Sequence, residues 1–247
     1  MTKALDGKVA LVTGGSRGMG AAIARRLARD GAAVAITYAS AQAKADEVVR
    51  AIGAAGGKAL AIRADSGDAA QLRHAVAETV AKLGRIDILV NNAGVLALGP
   101  VEQFALEDFD RTLAVNVRSV FVAAQEAARR MGEGGRIITI GSVNADRVPF
   151  AGGSVYAMSK AAVAGLTRGL ARDLGPRGIT VNNIQPGPVD TDMNPKDGPM
   201  AGQMKSYMAL PRYGTGDEIA GMVSYLAGPD GGYVTGASLT IDGGFGA

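Results

Sequence analysis

The sequence of 247 residues contains no cysteine, no tryptophan and one histidine, His74. The absence of cysteine excludes disulfide bridges and thiolate metal sites, and it favours a reducing, cytoplasmic location. With His74 as the one histidine, we expect neither a Ser-His-Asp triad nor a histidine-based metal centre. We therefore expect any catalysis to use other side chains and to need no metal.

Long apolar runs and runs of like charge are also missing. The apolar stretch near the amino terminus is too short for a signal peptide, and no later segment reaches transmembrane length, so no membrane partner is expected. The formal net charge is +3, from 26 basic and 23 acidic residues that are scattered along the chain. This distribution predicts no nucleic-acid partner and leaves anionic small molecules as candidate ligands.

Glycine is abundant, with 36 residues, and many glycines directly follow apolar runs. The first case is a predicted strand over 8–13, the turn Gly14-x-x-x-Gly18-x-Gly20, and a predicted helix over 21–30. Strand, glycine turn and helix form a phosphate-binding arrangement, because the backbone can approach a pyrophosphate and the helix start favours anions. The spacing differs from the usual G-x-G-x-x-G fingerprint, so a βα turn without a ligand stays an alternative.

Strands and helices alternate along the rest of the chain. Further strands are predicted over 33–38, 58–64, 86–90, 136–140, 178–184 and 238–242. Helices are predicted over 41–55, 68–83, 107–131, 156–174 and 217–227. This alternation predicts an α/β fold with a parallel sheet covered by helices on both faces, in one domain spanning 1–247.

The end of the second strand indicates which dinucleotide would bind. NAD-binding proteins often place Asp or Glu there to hold the ribose 2′-hydroxyl. This chain has Tyr38, Ala39 and Ser40 instead, and Arg17 lies in the glycine turn. A guanidinium without a nearby carboxylate suits a 2′-phosphate, so we expect NADP(H); the alternative is that Arg17 is simply exposed.

The strongest catalytic candidate is the pair Tyr156 and Lys160. On a helix, positions i and i+4 share a face, so the phenol and the ammonium can point into one space. We expect the ammonium to lower the pKa of the phenol towards the range in which an acid or base works. Ser142, at the end of the fifth strand, could hold a substrate oxygen against the phenol. The alternative is an ordinary half-buried pair with a snorkelling amine.

Asn116 is a polar residue within the apolar stretch Leu-Ala-Val-Asn-Val of the long predicted helix. A buried amide needs hydrogen-bond partners. Two interpretations are open: the amide bonds neighbouring backbone, or it organises water beside the active site.

Residues 192–214 carry four methionines and three prolines and have little regular pattern. Unbranched methionine side chains adapt to varied apolar shapes. We interpret this segment as a mobile lid over a substrate pocket. An oligomer contact or a simple surface loop is the alternative.

Together these motifs resemble the short-chain dehydrogenase/reductase family over essentially the whole chain. The resemblance rests on the glycine turn after Thr13, Asn91-Asn92-Ala93-Gly94, Ser142 and Tyr156-x-x-x-Lys160. It implies a Rossmann-type sheet of seven strands in the order 3-2-1-4-5-6-7, a homodimer or homotetramer, and a catalytic tetrad of Asn116, Ser142, Tyr156 and Lys160. The cofactor-binding residues implied by the motifs and the resemblance are Gly14, Ser16, Arg17, Gly18, Met19, Tyr38, Ala39, Ser40, Asp65, Ser66, Asn92, Ala93, Gly94, Tyr156, Lys160, Pro186, Gly187, Val189 and Thr191.

Within the family, Arg17 and Tyr38-Ala39-Ser40 are similar to 3-oxoacyl-[acyl-carrier-protein] reductases, but Ser142 and Tyr156 lie 14 positions apart, one more than in that type. The stretches GSVNADRVP, QPGPVDTDMNP and IDGGFGA instead resemble a bacterial branch of cyclic-di-GMP-binding biofilm-dispersal proteins. The resemblance implies NADPH-dependent reduction of a small ketone or aldehyde. The alternative is a regulatory protein that senses cyclic-di-GMP or the NADP redox state.

Overall fold

The computed structural model describes residues 3–247, and its centre is a parallel β-sheet. Within these residues the sheet has seven strands: β1 Val9–Val12, β2 Ala33–Tyr38, β3 Ala59–Arg63, β4 Ile88–Asn91, β5 Arg136–Ile140, β6 Thr180–Pro186 and β7 Ser238–Ile241. Their order is β3-β2-β1-β4-β5-β6-β7, and every neighbouring pair is parallel. The expected strand order is confirmed.

Helices cover both faces of this sheet. Over the same range the α-helices are α1 Gly18–Arg29, α2 Gln42–Ala54, α3 Ala69–Leu83, α4 Leu106–Leu113, α5 Ser119–Ala128, α6 Ser154–Leu174, α7 Ala201–Ser206 and α8 Gly216–Ala227. One apolar core packs α1, α2 and α8 against the sheet, and a second packs α3, α5 and α6 against the other face. None of the helices described is both long and apolar enough to cross a bilayer.

The order of the strands reverses at β1, which pairs with β2 on one side and β4 on the other. Ligands of open α/β sheets bind at such a switch point, outside the carboxyl ends of the strands. β1, β4 and β5 lie side by side, with Val12 opposite Val90 and Val90 opposite Ile138. The segments that follow these strands therefore emerge next to one another.

The predicted helix over 107–131 contains an irregularity. Its backbone stays helical from Leu106 to Ala128, but a wider π turn, Ala114–Arg118, separates α4 from α5. The hydroxyl of Ser119 donates to the carbonyl of Val115 within this turn. Single π turns are frequent at functional sites. This one contains the buried Asn116.

The predicted lid, 192–214, is more ordered than its sequence indicates. It contains α7, and Met204, Met208 and Tyr213 are buried in a small apolar cluster with Phe245 near the carboxyl terminus. Periodicity missed this helix because α7 has six residues, too few for a repeating apolar pattern. The function of this segment as a substrate lid stays a prediction.

Candidate active site

Glycine is required at three positions of the turn between β1 and α1. Gly14 and Gly18 have φ angles of +64° and +52°, in the left-handed region that favours glycine. At Gly20, a Cβ atom would lie 2.3 Å from the carbonyl oxygen of Gly14 and 2.5 Å from the Nδ2 atom of Asn92. The first turn of α1 therefore packs directly against the backbone of Gly14 and the side chain of Asn92.

The amino-terminal end of α1 is a favourable position for an anion. Arg17, at its N-cap, makes no side-chain capping bond, and the first turn of the helix contains no acidic residue. The first N–H groups of a helix have no partners within the helix, and they favour negative charge. A phosphate is therefore a suitable partner for this turn.

A cleft of about 470 Å³ lies over the glycine turn. Its walls are formed by the end of β2, by α4, and by the segments that follow β3, β4 and β6. The predicted cofactor-binding residues that line it are Gly14, Ser16, Arg17, Gly18, Met19, Tyr38, Ala39, Ser40, Asp65, Ser66, Asn92, Ala93, Gly94 and Thr191. These predicted residues, although distant in sequence, therefore lie together in one cleft.

Five predicted cofactor residues are not among those that line this cleft: Tyr156 and Lys160 of α6, and Pro186, Gly187 and Val189. Pro186 is the last residue of β6 and is buried, and Val189 packs into the core with 5% exposure. A Cβ atom at Gly187 would lie 2.7 Å from the Cα atom of Asp242, just after β7. The end of β7 therefore covers this part of the chain, and the segment reaches the cleft at Thr191.

The cleft is also lined by Thr37, Arg111 and Asp192, which the sequence did not predict as binding residues. Thr37 Oγ1 accepts a hydrogen bond from the N–H of Gly14 at 3.0 Å and so fixes the turn. Arg111 comes from α4 and pairs with Asp65 at 3.1 Å. No local pattern could have identified Arg111, because tertiary packing alone brings α4 to this wall.

Asp65 is held as a carboxylate at the adenine end expected from the resemblance. Partial burial raises its pKa, but the N–H of Gly67 and the guanidinium of Arg111 outweigh that effect, and the pKa lies below its ordinary value. The Gly67 N–H donates to Asp65 Oδ1 at 2.7 Å. Asp65 thus shapes the loop after β3 and joins it to α4.

Asn92 braces the glycine turn. Its Nδ2 atom donates to the carbonyl oxygens of Thr13 and Gly14 at 2.9 and 3.0 Å. Its own N–H donates to Thr13 Oγ1 at 3.0 Å. The side chain of Asn92 therefore locks the end of β4 to the end of β1, and it supports the floor of the cleft from below.

Tyr156, Lys160 and Ser142 meet where β5 ends and α6 begins. The Nζ atom of Lys160 lies 5.6 Å from the centroid of the Tyr156 ring and donates to the carbonyl of Ile140 at 3.0 Å. Ser142 follows that strand and lies beside the Tyr156 phenol. A Cβ atom at Gly94 would lie 3.7 Å from Lys160 Nζ, so this group adjoins the cleft.

The expected lowering of the phenol pKa was wrong for this structure. Burial raises the pKa of Tyr156, and the hydrogen bond with Ser142 lowers it by less. Burial also lowers the pKa of Lys160 to about 8. The cation lies over the ring of Tyr156 rather than at its oxygen, and removal of both groups from water dominates. The phenol is therefore protonated at neutral pH.

The backbone bonds expected for Asn116 are present, and its role in organising water stays a prediction. Its Oδ1 atom accepts from the N–H of Val95 at 2.9 Å, and its Nδ2 atom donates to the carbonyl of Val95 at 3.0 Å. Nδ2 also donates to Ser159 Oγ at 3.1 Å. Asn116 thus ties the loop after β4 to α6, close to Tyr156 and Lys160.

We expect the Lys160→Met variant to be more stable than the wild-type chain at neutral pH. Lys160 is 6% exposed. Its pKa shift from 10.5 to about 8 corresponds to a penalty on the order of 3 kcal/mol. Loss of the partner of the Ile140 carbonyl offsets about 1–3 kcal/mol of the gain. The folded pKa lies below the unfolded one, so the penalty is full below pH 8 and fades as pH rises towards 10.5.

Thermal unfolding measured from pH 7 to pH 10 checks this expectation. The difference in melting temperature between Lys160→Met and wild type should be largest near pH 7 and should shrink as the pH rises. Lys82→Met, which removes an exposed lysine from the last turn of α3, is the matched control and should give a small, pH-independent difference. A constant difference for Lys160→Met would contradict the buried-cation assignment.

Comparison with known proteins identifies the family of this arrangement. A family model described as enoyl-(acyl carrier protein) reductase matches residues 14–246. The solved short-chain dehydrogenase/reductase from Serratia marcescens BCRC 10948 is 66% identical, covers 99% of this chain and 100% of its own, and superposes with a TM-score of 0.98. The chain belongs to the short-chain dehydrogenase/reductase family.

Two further members of the short-chain dehydrogenase/reductase family bear on the ligand. A Burkholderia cenocepacia J2315 dehydrogenase solved in complex with NADP is 56% identical over 99% of this chain and 100% of its own, with a TM-score of 0.98. The cyclic-di-GMP-binding biofilm dispersal mediator protein of Escherichia coli K12 is 51% identical over 99% of both chains. Both expected resemblances, to the family and to the cyclic-di-GMP-binding branch, are confirmed, and the expected cofactor agrees with the one bound in the Burkholderia structure.

Proposed function

We propose that the chain is an NADP(H)-dependent reductase that converts a ketone or aldehyde to an alcohol, with Tyr156 as the proton donor. The observation that carries this proposal is one continuous site. The cleft over the glycine turn passes Gly94, and Gly94 adjoins Lys160, which lies over Tyr156 beside Ser142.

The residues of the cleft fit this cofactor. The left-handed Gly14 and Gly18 place no side chain of their own at the turn, and the uncapped start of α1 suits a pyrophosphate. Arg17 lines the cleft near Tyr38 and Ser40, where no carboxylate ends β2, and this favours a 2′-phosphate. The NADP bound in the Burkholderia relative supports the same choice.

The catalytic roles follow from the chemistry of the side chains. Tyr156, protonated at neutral pH, can donate its proton to the carbonyl oxygen, and the Ser142 hydroxyl can orient and polarise that oxygen. Lys160 supplies positive charge beside the phenol, and Asn116 fixes Val95 and so the cleft wall. When bound, the reduced nicotinamide supplies the hydride to the carbonyl carbon.

A panel of carbonyl compounds tests this function. Linear and cyclic ketones, aldehydes and a 3-oxoacyl thioester are each mixed with the protein and NADPH, and the absorbance of NADPH is followed. We expect at least one carbonyl to cause oxidation of NADPH. No oxidation with any member of the panel would contradict the proposed activity.

A second candidate function is a regulatory protein that binds cyclic-di-GMP. The observation that favours it is the 51% identity with the cyclic-di-GMP-binding protein of Escherichia coli K12. The grouping of Ser142, Tyr156 and Lys160 favours the reductase, because nucleotide binding alone needs no proton donor beside the cleft. The two activities are compatible in one protein.

A competition assay separates these candidates. Because the cleft of about 470 Å³ is the phosphate-suited site, we expect cyclic-di-GMP to slow carbonyl-dependent NADPH oxidation competitively with NADPH. Tight binding of cyclic-di-GMP without any carbonyl-dependent oxidation would favour the regulator instead. Inhibition that saturating NADPH does not relieve would contradict a shared cleft.

The remaining expectations stay predictions. They are one catalytic domain over 1–247, a lid over 192–214, a cytoplasmic location and a homodimer or homotetramer. Sedimentation of the purified protein measures the last of these directly.

A further inference from the structure

Three charged side chains meet at the mouth of the cleft. The Oδ2 atom of Asp192 lies 3.0 Å from the Nζ atom of Lys44 and 3.5 Å from an Nη1 atom of Arg17. Arg17 comes from the glycine turn, Lys44 from the first turn of α2, and Asp192 from the segment after β6. One carboxylate oxygen is thus shared by two cations, which follow the adjacent strands β1 and β2.

Lys44 lies close to the part of the cleft that suits a 2′-phosphate. It is the third residue of α2, and Tyr38, Ala39 and Ser40, which precede that helix, line the cleft. α2 begins without a side-chain cap and without an acidic residue in its first turn. The charge at this point is therefore positive apart from Asp192, which comes from elsewhere in the chain.

We propose that Lys44 is a second 2′-phosphate ligand, beside Arg17, and that Asp192 is the internal counter-ion which the phosphate displaces. This inference rests on the proposed use of NADP(H). Lys44 then determines the preference for NADP(H) over NAD(H), and entry of the phosphate releases Asp192, the first residue of the segment interpreted as a lid.

The chemistry favours this exchange. Asp192 is exposed, with 56% of its side chain accessible, so it can turn into water without leaving a buried charge. Lys44 first, and Arg17 second, hold its pKa below the ordinary value, so Asp192 is a carboxylate throughout the neutral range. A phosphate monoester carries up to two negative charges and three acceptor oxygens, so it satisfies both cations better than one carboxylate does.

Binding titrations of NADP⁺ and NAD⁺ to the full chain test the proposal. We expect Lys44→Gln to weaken NADP⁺ binding about tenfold, as for loss of a charge-assisted hydrogen bond, and to change NAD⁺ binding by less than about twofold. We expect Asp192→Asn to tighten NADP⁺ binding about threefold, the scale of an exposed ion pair. In the Lys44→Gln background, Asp192→Asn should have a smaller effect, since the two residues interact directly.

Two matched controls remove a similar charge nearby. Asp190→Asn alters an exposed carboxylate that pairs with Lys196 at 3.4 Å, whereas Asp192 is the carboxylate that contacts Arg17 and Lys44. Arg50→Gln removes an exposed cation near the other end of α2. Neither control should change the ratio of the NADP⁺ and NAD⁺ affinities.

The contrary results are distinct. Equal weakening of NADP⁺ and NAD⁺ by Asp192→Asn would mean that Asp192 clamps any bound dinucleotide, and it would overturn the proposal. A Lys44→Gln variant that binds NADP⁺ as tightly as the wild-type chain would also overturn the proposal. Both of these outcomes leave the proposed reductase intact, whereas a wild-type chain that binds neither dinucleotide would overturn the reductase and the Lys44 assignment together.

Discussion

Tyr156→Phe is expected to lower the turnover of carbonyl reduction by about 10²–10⁴-fold, the usual contribution of a general acid. The substitution removes the phenol oxygen and keeps the ring. The ring lies under the ammonium of Lys160, 5.6 Å from its Nζ atom, so the packing of Lys160 should persist. NADPH binding should therefore stay within about twofold of wild type, since the variant loses a proton donor and no phosphate-binding group.

Steady-state NADPH oxidation and equilibrium NADPH binding measure the two halves of this expectation. Tyr225→Phe removes the hydroxyl of a half-exposed tyrosine on α8 and serves as the control, with activity close to wild type. Substantial turnover by Tyr156→Phe would remove Tyr156 as the acid. Loss of NADPH binding in that variant would instead indicate that the phenol is needed to hold the cofactor.

Gly20→Ala should abolish dinucleotide binding, with an affinity loss of at least about 100-fold. The new Cβ atom would lie 2.3 Å from the carbonyl oxygen of Gly14 and 2.5 Å from Asn92 Nδ2. Both groups belong to the floor of the cleft, and neither can move without breaking the bonds from Asn92 to Thr13 and Gly14. Overpacking of this kind costs about 1–3 kcal/mol of stability as well.

The chain offers a matched control for this substitution in Gly53, which lies in α2 and has no atom within 4 Å of an added Cβ. Gly53→Ala should leave NADPH binding unchanged and raise the unfolding free energy by about 0.5–1 kcal/mol. If Gly20→Ala does not fold, Gly18→Ala tests the same turn through backbone strain rather than a clash, because Gly18 has a φ of +52° and its nearest neighbour is Thr191 Cγ2 at 3.4 Å. Wild-type NADPH affinity in a folded Gly20→Ala protein would contradict the assigned phosphate site.

Much of the fold could be predicted because local pattern and tertiary structure agree in a parallel sheet. Buried strands such as β5 appear as short apolar runs, and several of them, including β1, β4 and β5, are followed by a turn that carries glycine or amide residues. Those turns then meet at one edge of the sheet, so residues near Gly14, Asn92 and Ser142 could be assigned to one site from the sequence alone. The strand order itself came from the resemblance to the family.

Other features depend on contacts between distant parts of the chain. Lys44 and Asp192 are 148 positions apart and meet only because β6 ends, and α2 begins, near the same cleft. Arg111 reaches Asp65 across 46 positions. The pKa of Tyr156 was predicted in the wrong direction because helical spacing gives proximity to Lys160 but not the burial that dominates both groups.

The most direct test of the central claim is a crystal structure of the protein with NADP⁺. The account predicts the pyrophosphate over the turn from Gly14 to Gly20 and the nicotinamide ring beside Ser142 and Tyr156. The reacting carbon of the ring should be open to the carbonyl carbon of a substrate whose oxygen is held by the phenol. Bound NADP⁺ with its nicotinamide directed away from Tyr156, or lying outside this cleft, would contradict the account.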